Sequence, residues 1–103
     1  MVQYLVTYSI QTGKEQDHDN WLSRVGMPYF QSQEGFREMR AYSTLVGSGP
    51  DWVLEIDFDS AENLMKALDT EEAKRILEDF EHLVNNLSTK IMVPTGEPVR
   101  ASA

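Results

Sequence analysis

The chain has 103 residues, 41% of them hydrophobic, 25% charged and 10% aromatic, a balance that suits one folded domain and excludes a disordered chain. Seventeen acids against nine Lys and Arg leave a net charge of −8, so there is no positive field for nucleic acid or for an anionic membrane surface. With no cysteines, disulfides, thiol nucleophiles and thiolate-held metal or iron–sulfur sites are excluded.

No apolar run approaches the ~20 residues of a membrane span. The start, Met1-Val2-Gln3-Tyr4, lacks the basic and apolar regions of a signal peptide. The expectation is a cytoplasmic protein.

Residues 2–10 are rich in β-branched and aromatic side chains and end at Gln11-Thr12-Gly13, which predicts a strand. Val2, Tyr4, Val6, Tyr8 and Ile10 share one face of it; Gln3, Leu5, Thr7 and Ser9 share the other. Over residues 14–33 the period changes. His18, Trp21, Leu22, Val25 and Tyr29 recur at helical spacing, with acids in the first turns, and Gly26 and Pro28 predict a kink or break. Phe36 to Val46 and Trp52 to Phe58 read as two strands of a hairpin joined by Gly47-Ser48-Gly49-Pro50-Asp51. Ser60 is a helix N-cap for residues 61–68, and Asp69 with Glu72 has the spacing of a second cap. Ala73, Ile76, Leu77, Phe80, Leu83, Val84 and Leu87 keep a three-and-four spacing, predicting one long helix. Thr89–Val93 is the last strand, and Pro94, Gly96 and Pro98 open a tail to Ala103.

The order β-α-β-β-α-β predicts a ferredoxin-like α+β fold: a four-stranded antiparallel sheet with two helices on one face, spanning residues 1–93, with a tail over 94–103. The uncovered sheet face then matters. Phe36 and Tyr42 are placed on one side of the second strand, and Met39, Ala41 and Leu45 on the other. Apolar residues on both faces of strands one and two predict a homodimer packed sheet to sheet.

Three local patterns carry a resemblance. Trp21-Leu22-Ser23-Arg24-Val25-Gly26-Met27-Pro28 resembles a first helix running into a proline, Gln33-Glu34-Gly35-Phe36 a step into strand two, and Leu54 to Glu62 a third strand ending in an acidic-Ser helix cap. On these and on element order, residues 2–93 resemble the dimeric α/β-barrel superfamily. That group includes cofactor-independent antibiotic-biosynthesis monooxygenases, stress-responsive barrel proteins and haem-degrading monooxygenases. The haem-degrading pattern is not matched. Strand one has no Asn, and Ala67 and Leu77 fall where that pattern has a Trp and a His. The resemblance implies a dimeric barrel and cofactor-free oxygenation of an electron-rich substrate.

His18 is the candidate base for removing an acidic proton from such a substrate; equally, it is a first-turn surface residue. Tyr4, Tyr8, Trp21 and Tyr42 are the candidate substrate-binding residues, able to wall a pocket for a flat ligand, and equally core or interface residues. Tyr29 and Trp52 belong to the same aromatic set. His82 sits beside Glu78 and Glu81 as a solvated residue, and Glu55 and Asp57 read as partners of Arg37 and Arg40 in a sheet ladder. The functional expectation is a small cofactor-independent monooxygenase-like enzyme acting on an aromatic or polyketide-like molecule. The alternatives are a barrel that binds a small apolar ligand without chemistry and an interaction protein without a pocket. A cavity between helix one and the sheet separates them: a polar group such as His18 or Tyr8 aimed into it favours the enzyme, a dry apolar cavity favours binding, and a filled core favours the interaction protein. The expectation is that His18 and Trp21 border it near Tyr4 or Tyr8.

Overall fold

A computed structural model describes residues 1–102. Four strands, β1 (Val2–Ile10), β2 (Phe36–Ser43), β3 (Trp52–Phe58) and β4 (Val84–Met92), form one antiparallel sheet in the order β2-β3-β1-β4. Both central strands come from the two halves of the βαβ repeat, which is the ferredoxin-like arrangement. The helices cover one face, and the core lies between. There β1 buries Val2, Tyr4, Val6 and Tyr8, and β3 buries Leu54, Ile56 and Phe58.

The first helical unit has three parts: α1 (Glu15–Trp21), one π-helical turn (Leu22–Gly26) and α2 (Met27–Gln31). The kink expected at Gly26–Pro28 is thus an unbroken passage through a wider turn. Met27 donates its backbone N–H to the Leu22 carbonyl, five residues back, and Pro28, near the start of α2, needs no donor there.

The second unit is α3 (Ala61–Leu68) and α4 (Glu71–Glu81). The Ser60 hydroxyl accepts from the Asn63 N–H, as its position predicted. The second cap is Thr70 rather than Asp69; its hydroxyl accepts from the Ala73 N–H at 2.9 Å.

Two expectations are corrected. The long helix ends at Glu81, and the last strand begins at Val84 rather than Thr89. Residues 83, 84 and 87 satisfy a helical period, but β1 offers them a partner: Gln11 donates its backbone N–H to Leu83 and its side-chain amide to Val84, and Ile10 pairs with Val84. The register then slips once, opposite Asn86, whose φ of 55° marks a bulge. The strand also stops at Met92, one residue short of the expected Val93.

The second correction concerns the sheet faces. An irregularity between Phe36 and Glu38 reverses the alternation, so Phe36 joins Met39 and Ala41 beneath the helices and meets Phe58 edge-on. The face away from the helices is accordingly more polar than expected. One row across it reads Arg40, Glu55, Leu5, Lys90 and another Tyr42, Val53, Thr7, Ser88. The Arg40–Glu55 part of the expected ladder is in register, although Arg40 also pairs with Glu38. Among the described residues no helix is long and apolar enough to cross a membrane.

Candidate functional site

Alternation along β1 brings Tyr4 and Tyr8 to the helix side, and α1 is positioned over the Tyr8 end. His18 is fully buried there, contrary to its surface reading. The Tyr8 hydroxyl lies 2.6 Å from His18 Nε2, and His18 Nδ1 lies 3.0 Å from Asp19 Oδ1. Burial pushes the Tyr8 phenol well above its ordinary range, and the nearby Asp19 charge pushes the same way. The phenol therefore keeps its proton and donates it to Nε2, which leaves Nδ1 as the protonated nitrogen, donating to the Asp19 carboxylate. Asp19 is largely exposed. The three groups form a hydrogen-bonded line from the core to solvent.

Aromatic rings pack against the buried part of this line. Trp52 stacks parallel to Tyr8 at 6.4 Å and lies 4.8 Å from His18. Phe80 of α4 meets Tyr8 edge-on at 4.8 Å and stacks against Trp21 at 4.4 Å. Tyr29 does other work: its hydroxyl is 2.6 Å from both the Ala67 carbonyl and the Thr70 hydroxyl, tying α2 to the α3–α4 turn.

Beyond Phe80 the packing opens into a cavity of about 120 Å³. Its floor is the sheet, with Tyr4, Val6, Met39, Leu54 and Ile56; Trp21, Phe30 and Phe80 wall it, and Leu68, Ala73, Ile76 and Leu77 close the helix side. Lys74 is the only charged lining residue, and it leans towards Asp69 and Glu71 at 3.6 and 3.8 Å. Of the three buried tyrosines, Tyr8 and Tyr29 have bonded hydroxyls. The Tyr4 hydroxyl makes no hydrogen bond among the described residues, and the buried indole Nε1 of Trp21 also lacks a partner.

The expected pocket residues therefore divide. Trp21 and Tyr4 line the cavity. His18 and Tyr8 stand together behind Phe80 and do not line it. Tyr42 is 46% exposed on the opposite sheet face, in register with Val53. The sequence reading did not single out Asp19 beyond its place in the first turn, nor Lys74, and treated Phe80 only as core. The adjacency of Asp19 to His18 was the one available signal. No group of residues able to hold a metal ion occurs among the described residues.

No family model matches the sequence, and a search of curated proteins finds no match. Solved structures do match. A cofactor-independent oxygenase from Streptomyces nogalater, SnoaB, in a mutant form, superposes with a TM-score of 0.80 at 10% identity, covering 93% of this chain and 94% of that one. An ethyl tert-butyl ether d (ethd) family protein from Bacillus halodurans gives 0.70 at 21% identity, covering 92% and 100%. A DABB family protein with a ferredoxin-like fold, from Mesorhizobium loti, gives 0.76 at 10% identity, covering 92% and 97%. The chain shares the ferredoxin-like α+β fold of these structures. At these identities the likeness establishes the fold and no activity.

Proposed function

We propose that the chain is a monooxygenase-like enzyme that takes a small, planar, largely apolar molecule into the cavity beneath Trp21 and works without a resident cofactor. One observation carries the reading: an aromatic-walled cavity shares a wall, Phe80, with a buried phenol–imidazole pair that runs to solvent through Asp19. The volume suits a one-ring molecule, since an engineered apolar cavity of about 150 Å³ takes benzene. Trp21, Phe30 and Phe80 supply flat apolar contact, and the free Tyr4 hydroxyl supplies one hydrogen bond to a substrate oxygen. Rotation of Phe80 away from Tyr8 gives the substrate access to the phenol. A proton arriving at the Tyr8 oxygen then sends the phenol's own proton to His18 Nε2, and the Nδ1 proton is offered to Asp19. The activated substrate reacts with dioxygen, which is the chemistry that the SnoaB likeness suggests.

The test is oxygen uptake by metal- and flavin-free protein supplied with electron-rich phenols. Uptake is expected, and His18→Ala should lower it by about a hundredfold or more while the circular dichroism spectrum is kept. Binding without uptake across the series would favour a second reading, a module that binds a small apolar ligand. That reading has its own support, because Tyr4, Trp21 and Lys74 alone among the lining residues carry an N–H or O–H side-chain group, and the rest are apolar.

The site is proposed to work in a homodimer closed over the face opposite the helices. On that face Leu5, Val53 and Tyr42 lie among Arg40, Glu55 and Lys90, and the buried Asp57 has one carboxylate oxygen, Oδ1, without a hydrogen-bond partner. A second copy would cover the apolar residues and bring donors to that acid. Sedimentation at micromolar concentration checks this: a stable folded monomer overturns it.

A further inference from the structure

We infer that Gly26 is a specificity-determining residue of the cavity: the space left by its missing side chain seats the Trp21 indole, and that seat sets how large a planar ligand can enter. The inference rests on the reading that the cavity binds a planar molecule.

The argument begins with the backbone. The chain has six glycines, and five of them, at 13, 35, 47, 49 and 96, have positive φ. Gly26 is the exception. Its φ of −65° and ψ of −55° are ordinary helical values, for which helix propensity favours alanine. Its conformation therefore does not require glycine, and space does. A Cβ built at this position would stand 2.7 and 2.8 Å from two atoms of the six-membered ring of Trp21, with a third at 3.3 Å. These separations lie well inside van der Waals contact.

The indole is partly buried, and its inner side meets the core. On one side it lies against Phe80, which is itself buried and held against Tyr8. The free volume beside it is the cavity that it lines. In the inferred role, a methyl group at position 26 moves the ring towards the cavity and shortens it. The π-helical turn, Leu22–Gly26, is what brings residue 26 under residue 21. A regular helix puts positions three and four apart on one face, and the wider turn extends that reach to five.

The experiment compares Gly26→Ala in two backgrounds, the natural chain and Trp21→Phe, in the full-length protein. The probes are benzene, toluene and naphthalene, with affinity read by calorimetry and the Trp21 indole N–H read by NMR. In the natural background, Gly26→Ala should shift the Trp21 signal and weaken naphthalene at least tenfold relative to benzene. With Trp21→Phe the same substitution should leave that ratio unchanged. Should Gly26→Ala fail to fold, recovery of folding by adding Trp21→Phe supports the inference, and no recovery overturns it. An equal change in both backgrounds, or none in either, also overturns it. Failure of the natural protein to bind any probe would instead overturn the cavity reading, and the specificity role with it; a shifted Trp21 signal in Gly26→Ala would then leave Gly26 as a packing position alone.

Discussion

Tyr4 and Tyr8 project from the same face of the same strand, yet they occupy opposite kinds of environment. Around Tyr8 the core is filled by His18, Trp52 and Phe80, and the phenol is hydrogen-bonded. Around Tyr4 the sheet floor faces a cavity, and the phenol has no partner among the described residues. The difference comes from what the helices lay over each end. The Tyr8 end receives a buried imidazole from α1, whereas the Tyr4 end lies under a region where Ala73 is part of the roof. One regular strand thus carries a closed polar contact and an open apolar space, divided by Phe80.

The division can be broken at its wall. Phe80→Ala should merge the two regions and cost about 3–5 kcal/mol, as a lost transfer term plus a cavity. Denaturant unfolding measures it, and a loss below about 1 kcal/mol would mean the wall carries no load. The next effect is at the filled end. Tyr8→Phe strands His18 Nε2 in the core and should cost about 1–3 kcal/mol.

That end also has a signature in alkali. Because the folded protein holds the Tyr8 phenol above its ordinary value, the unfolded state loses this proton first as pH rises. The stability that Tyr8 contributes is therefore complete below about pH 10 and declines above it. Tyr8 should resist ionisation in a tyrosinate absorbance titration, and Tyr8→Phe should remove that late component. The smallest effect sharpens the contrast. Tyr4→Phe deletes a hydroxyl that has no partner and should change stability by less than about 0.5 kcal/mol, measured in the same unfolding experiment.

Much of this arrangement was legible in the residues. The alternation of β1 placed Tyr4 and Tyr8 on one face, and the spacing of 18, 21, 22 and 25 put His18 and Trp21 on the inner side of the first helical unit. What separated His18 from the cavity was not legible, because it depends on Phe80 arriving from α4, far along the chain. The face of Phe36 was misread because a bulge changes parity without leaving a mark in the hydrophobic pattern. The end of α4 was misread because Leu83, Val84 and Leu87 satisfy a helical period while β1 competes for their backbone. Gly26 was read as an interruption, and only the ring above it reveals that it provides room.

The bulge that turns Phe36 inward has a consequence at the sheet's rim. β2 is an outer strand, and its outer backbone groups are free to template another strand. The slip between Phe36 and Glu38 breaks that row near its start, and Arg37, Glu38 and Arg40 place charge along it. A polypeptide attempting to lengthen the sheet there meets a misaligned, charged border. The irregularity that completes the core thus also makes this border a poor template for a further strand.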